Sequence, residues 1–184
     1  MAHLLALACP LLAGLSLWAC GHVSPAVETR VISRLRSVPA HKIAVLPVHV
    51  SGYRADEIRQ VTDRITGLVE LSILRQGLPV IEGASFGPKL TELKFEPRAE
   101  LDVPSARLLR RLTGATLVIQ GAARAVRGRL LSEFEETLHA IDTESGEVVL
   151  RTKGRGDSDV FRLCAQDLAE KLRGVIALEG PSRP

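Results

Sequence analysis

Two rhythms of apolar and polar residues alternate along the chain, and the switches between them mark its elements. Residues 42–50, KIAVLPVHV, are an apolar run rich in β-branched side chains and predict a central strand. Over 55–77 the period lengthens: Ile58, Val61, Ile65, Leu68 and Ser72 step by three and four, and Val69 and Ile73 widen the stripe. Acidic residues open this stretch and Gly77 closes it, as a helix dipole and a left-handed cap require. LPVIE (78–82) predicts a second strand. Residues 83–103 carry Gly83, Gly87, Pro88 and Pro97 among alternating charges and read as irregular. Asp102, Pro104 and Gly114 then bracket a helix over 103–113.

TLVIQGAARAV (116–126) predicts a third strand, its small residues suiting close packing against a helix. After an RGR turn, residues 129–142 alternate. Leu130, Phe134, Leu138 and Ala140 share one face; Glu133, Glu135, Thr137 and His139 share the other. TESG (143–146) turns the chain into a last strand over 147–154. Val160, Cys164, Leu168, Leu172 and Val175 align on a final helix over 158–178, which makes Cys164 a core residue. The order β-α-β-α-β-β-β-α predicts an α/β fold, a single small domain over 42–178 with helices packed on a mixed sheet.

The amino-terminal end follows other rules. Residues 4–19 hold no charged side chain and are short for a membrane span, which takes about 20 residues. They suit the apolar region of a signal peptide. Leu17, Ala19, Cys20 and Gly21 resemble the processing site of a bacterial lipoprotein, although Trp18 is bulky for its place and the leader lacks Lys and Arg. The resemblance implies cleavage after Ala19 and diacylglyceryl and acyl groups on Cys20. Gly21, rather than Asp, implies an outer-membrane address. A plain secretory signal or membrane anchor and a buried helix are the alternatives. The chain thus divides into a signal (1–19), a lipidated Cys20 with a short tether (20–41), the domain (42–178) and a tail (179–184). In the tether, Val27, Val31, Leu35 and Val38 recur at helical spacing among Arg30, Arg34 and Arg36, so it reads as a basic amphipathic helix or as a linker. At ~3.3–3.6 Å per residue it spans at most ~70 Å, favouring a partner near the outer membrane.

Composition narrows the chemistry. Apolar residues make up 46% of the chain but aromatic ones only 3%, so the core is built from aliphatic side chains. The net charge of +3 suits an anionic partner of any kind. The export signal and the scarcity of stacking aromatics disfavour nucleic acid. The three cysteines, Cys9, Cys20 and Cys164, form neither a disulfide framework nor a zinc spacing.

KIAVLPV (42–48), LTGATLVIQGAARAV (112–126) and LHAIDTESGEVVL (138–150) together resemble envelope lipoproteins related to the curli-secretion channel subunit. The same domain type occurs in the outer-membrane activator of penicillin-binding proteins and in the amino-terminal domain of TolB. The resemblance implies a small α/β domain that docks onto other envelope proteins and brings no catalytic residues and no cofactor. The long amphipathic hairpins of the curli channel have no counterpart among the residues left after cleavage, which argues against a pore.

Three sets of residues remain as candidates for chemistry. GASFG (83–87) matches the G-x-S-x-G nucleophile motif at Ser85, and Asp102 and His139 follow in hydrolase order, but Pro88 and a loop-like continuation oppose the required strand–turn–helix. His41, His49 and His139 would have to converge with a carboxylate to hold a metal, and none is predicted. Arg107, Arg110, Arg111, Arg124, Arg127 and Arg129 cluster in sequence; they form either an anionic docking patch or an ordinary solvated surface.

Overall fold

The computed structural model describes residues 24–38, 40–92, 101–127 and 132–179. Its centre is a parallel β-α-β unit. Strand β2 (Ile43–Val45) leads through helix α1 (Ile58–Arg75) to the edge strand β4 (Val80–Ile81), paired parallel to β2. The chain then returns past β2 through helices α2 (Gly83–Glu92) and α3 (Val103–Thr113) to β5 (Leu117–Arg127), on the other side of β2. Right-handed crossovers running in opposite directions put their helices on opposite faces of a sheet. Accordingly α1 packs with Ile43, Val45 and Ile119 in the larger core, while Phe86, Leu90 and Leu109 pack with Ala44, Leu46 and Val118 in a smaller one.

From β5 the sheet continues as an antiparallel meander, β6 (Ser132–Asp142) and β7 (Val148–Gly156). The last helix, α4 (Val160–Glu179), buries Val160, Cys164, Leu168 and Leu172 on the same face as α1. The result is a mixed α/β domain with a seven-stranded sheet and four helices packed on it.

Local chemistry explains the element ends. At the end of α1, Leu78 N–H donates to Ile73 O and Gly77 N–H to Leu74 O, a Schellman closure that needs the positive φ of 73° at Gly77. Asp102 accepts from Ser105 N–H at 2.9 Å and caps α3, which closes at Gly114.

Three segments differ from the sequence expectation. The tether contains a strand, β1 (Ala26–Val31), paired antiparallel to β7 from Ala26↔Arg155 to Val31↔Leu150. A helix there would leave the β7 edge open; the strand closes it, and Thr29 Oγ1 meets Thr152 Oγ1 at 2.6 Å. This strand begins six residues after Cys20 in the sequence. Second, the run 42–50 breaks at Pro47 into β2 and β3 (His49–Ser51), and Val48 N–H turns to Thr66 Oγ1. Third, the stretch expected to be irregular holds α2, with Pro88 inside it. Phe86 and Leu90, four residues apart, are both buried, and that tertiary burial outweighs the backbone bond Pro88 cannot make.

Candidate interaction surface

The two helical layers cover the sheet unequally. Side chains alternate across each strand, and the cross-strand register assigns them to faces. On β6, Phe134, Glu136, Leu138 and Ala140 point toward α1 and α4, together with Leu150, Thr152 and Gly154 of β7. The opposite face carries Glu133, Glu135, Thr137 and His139 of β6, Arg151, Lys153 and Arg155 of β7, Glu28 and Arg30 of β1, and Arg124 of β5. On this side α2 and α3 reach only the end of the sheet around Ala44, Leu46 and Val118. The remainder is a polar surface, with a groove of about 450 Å³ running across β1, β7 and β6.

Charge is ordered along that face. Arg155 clamps Glu133 with two bonds, Nε to Oε1 at 2.6 Å and Nη2 to Oε2 at 2.8 Å, and approaches Glu135 at 3.6 Å. Pairing with Arg155 holds the Glu133 carboxyl below the usual carboxylate range. Arg151 Nε donates to His139 Nε2 at 3.2 Å, which makes that ring nitrogen the unprotonated one.

Of the arginines singled out by sequence, Arg107 and Arg110 lie apart from Arg124. On α3, Arg107 Nε donates to the Glu144 carbonyl at 2.9 Å and Arg110 pairs with the Glu144 carboxylate, which Arg36 also holds at 2.6 Å. These side chains fasten α3 to the β6–β7 turn, and the pairing lowers the Glu144 carboxyl. Arg124 stands opposite Glu135, seven residues along β6 from Asp142 at that turn. At ~3.3 Å per residue the separation along the sheet is on the order of 23 Å. Arg129 and the Arg127 side chain lie outside the described residues, as does Cys20.

Ser85 lies inside α2, shortly after β4. Its hydroxyl donates to the Glu82 carbonyl at 2.7 Å, in the first turn of α2. Asp102 is engaged as the α3 cap and His139 with Arg151, so each supposed triad member is held by its own local partner. His41 is buried beside Thr116 and His49 is exposed on β3. Among the described residues no group of three or more His, Cys, Asp or Glu could hold a metal ion, and no helix is long and apolar enough to cross a membrane.

One titratable group escaped the sequence reading. Glu136 is 1% exposed beneath α4, and neither carboxyl oxygen has a hydrogen-bond donor of the N–H or O–H kind among the described residues. Burial pushes its pKa up to about 8, opposed weakly by the neighbouring Cys164 thiol. The thiol is itself driven upward by burial and by Glu136. Next to Glu136 on the same face, Phe134 packs against Tyr53 and Phe161, with ring centroids 6.2 and 5.4 Å apart. The alternation in EFEETLHA already put position 136 on the apolar side; that parity was the signal.

No protein-family model and no curated protein matches the chain. Solved structures do. A PelC dodecamer from Paraburkholderia phytofirmans is 16% identical, with a TM-score of 0.48, over 83% of this chain and 99% of that one. The LpoB carboxy-terminal domain from Salmonella enterica is 13% identical, with a TM-score of 0.44, over 65% and 84%. TolB from Acinetobacter baumannii is 12% identical, with a TM-score of 0.45, over 82% of this chain and 31% of that one.

Proposed function

We propose that this chain is an outer-membrane lipoprotein, anchored by diacylglyceryl and acyl groups on Cys20, whose α/β domain works in the periplasm as a non-enzymatic adaptor or assembly factor. The envelope process it serves is secretion, surface-appendage assembly or cell-wall synthesis. The observation that carries this reading is the Leu17–Cys20–Gly21 processing pattern standing directly ahead of β1. A polar sheet face that no helix covers among the described residues suits docking rather than catalysis. The test is cross-linking followed by pull-down from envelope membranes, comparing wild type with Cys20→Ser. A specific envelope protein recovered with wild type and lost with Cys20→Ser is expected. Recovery of no specific partner removes the adaptor reading.

A second reading, a ring-forming subunit of a curli-type apparatus, draws on β1. That strand ends the sheet order and pairs only with β7 among the described residues, so its outer edge is available to another copy. Light scattering in detergent decides: a monomer eliminates the ring.

A further inference from the structure

Where β6, β7 and β1 run side by side, the register brings basic side chains together. Arg151 stands directly opposite His139 on one side and Arg30 on the other, so three basic residues form one row on the open face. Lys153, two residues further along β7, points the same way. Like charges directly opposite one another destabilise a sheet. Glu28 takes Arg30 Nε at 2.7 Å. Arg151 spends its Nε on His139, leaving its two terminal nitrogens, and Lys153 has no ion pair among the described residues. Together with Glu28 and Ile32 these side chains line a pocket of about 210 Å³.

We propose that Arg30, Arg151 and Lys153 form a binding pocket for the phosphate of an anionic lipid headgroup, which seats the β1–β7 edge of the domain against the membrane surface. Two further observations select a lipid rather than a free anion. Ile32, just past the end of β1 and lining the pocket, is 50% exposed. An exposed apolar side chain beside a cluster of cations suits an interfacial contact. Moreover, Arg30 stands ten residues after Cys20, so a lipid there keeps the pocket within roughly 35 Å of the bilayer, at ~3.3–3.6 Å per residue. This second step rests on the lipoprotein reading; the first does not.

The experiment uses the chain from residue 20 with Cys20→Ser, which contains every described element and has no lipid of its own. Sedimentation with phosphatidylcholine vesicles, with and without phosphatidylglycerol, measures binding. The expected result is binding to the anionic vesicles alone, weakened about fivefold by each of Lys153→Gln and Arg151→Gln. Ile32→Ser weakens it further, while Arg107→Gln on α3 leaves it unchanged. Circular dichroism confirms that each variant is folded; Lys153 is exposed, so its variant keeps the test valid if Arg151→Gln unfolds. Equal losses in Arg107→Gln and Lys153→Gln mean diffuse charge attraction and overturn the proposal. So does full displacement from vesicles by inorganic phosphate at constant ionic strength, which marks a free-anion site. Palmitate labelling of the full chain in cells scores Cys20 separately, so failure of the anchor and failure of the pocket are told apart.

Discussion

Glu136→Gln keeps the shape of a buried side chain and removes its proton equilibrium. In the folded domain that carboxyl holds its proton up to about pH 8, against an ordinary value of 4.5. Between those limits the folded protein binds a proton that the unfolded chain has released, so stability falls as pH rises. At about 1.36 kcal/mol per pH unit, the full swing is on the order of 5 kcal/mol. That is a large share of the ~5–15 kcal/mol that holds a domain folded. The stabilisation is whole below pH 4.5 and gone once the pH passes 8. The glutamine variant carries a fixed cost of ~1–3 kcal/mol for burying a poorly paired amide, the same at every pH. Urea unfolding followed by circular dichroism, from about pH 5 to about pH 9, therefore gives two curves that cross. Wild type is the more stable at the acidic end and the variant at the alkaline end. Parallel curves, with a constant difference across this range, would refute the burial of an ionisable Glu136 beneath α4.

Other substitutions probe the packing and the discarded chemistry. A Cβ at Gly154 would press on Cys164 Sγ and come within 2.6 Å of Val160 Cγ2, so Gly154→Ala should cost ~1–3 kcal/mol of unfolding free energy in the same assay. Asp102→Ala removes the α3 cap and should cost about 1 kcal/mol while leaving the other elements intact by amide exchange. Ser85→Ala should leave any ester turnover of the purified protein unchanged, since the Ser85 hydroxyl is spent on the Glu82 carbonyl; a loss of turnover would restore the hydrolase reading.

Legibility in the sequence followed how locally each feature is determined. The meander and α3 could be read because Asp102, Gly114 and the 143–146 turn act within a few residues of themselves. β1 could not, because Val27, Val31 and Leu35 are spaced by four, which suits a helix face and a strand face equally. The deciding partner, Thr152 opposite Thr29, lies 123 residues away. α2 was hidden by Gly83, Gly87 and Pro88, whose low helix propensity is outweighed by the burial of Phe86 and Leu90. The arginine cluster of 107–129 looked continuous because α3 and β5 are consecutive, yet β5 carries Arg124 away from the turn that Arg107 and Arg110 grip. The basic row of Arg30, Arg151 and His139 brings together three distant segments and exists only in the register.

Anchorage at Cys20 is tested most directly by mass spectrometry of the protein purified from cell-envelope membranes. The expected product begins at Cys20 and carries diacylglyceryl and acyl groups, and Cys20→Ser yields an unprocessed chain. A mature protein that begins elsewhere, or an unmodified Cys20, contradicts the lipoprotein reading.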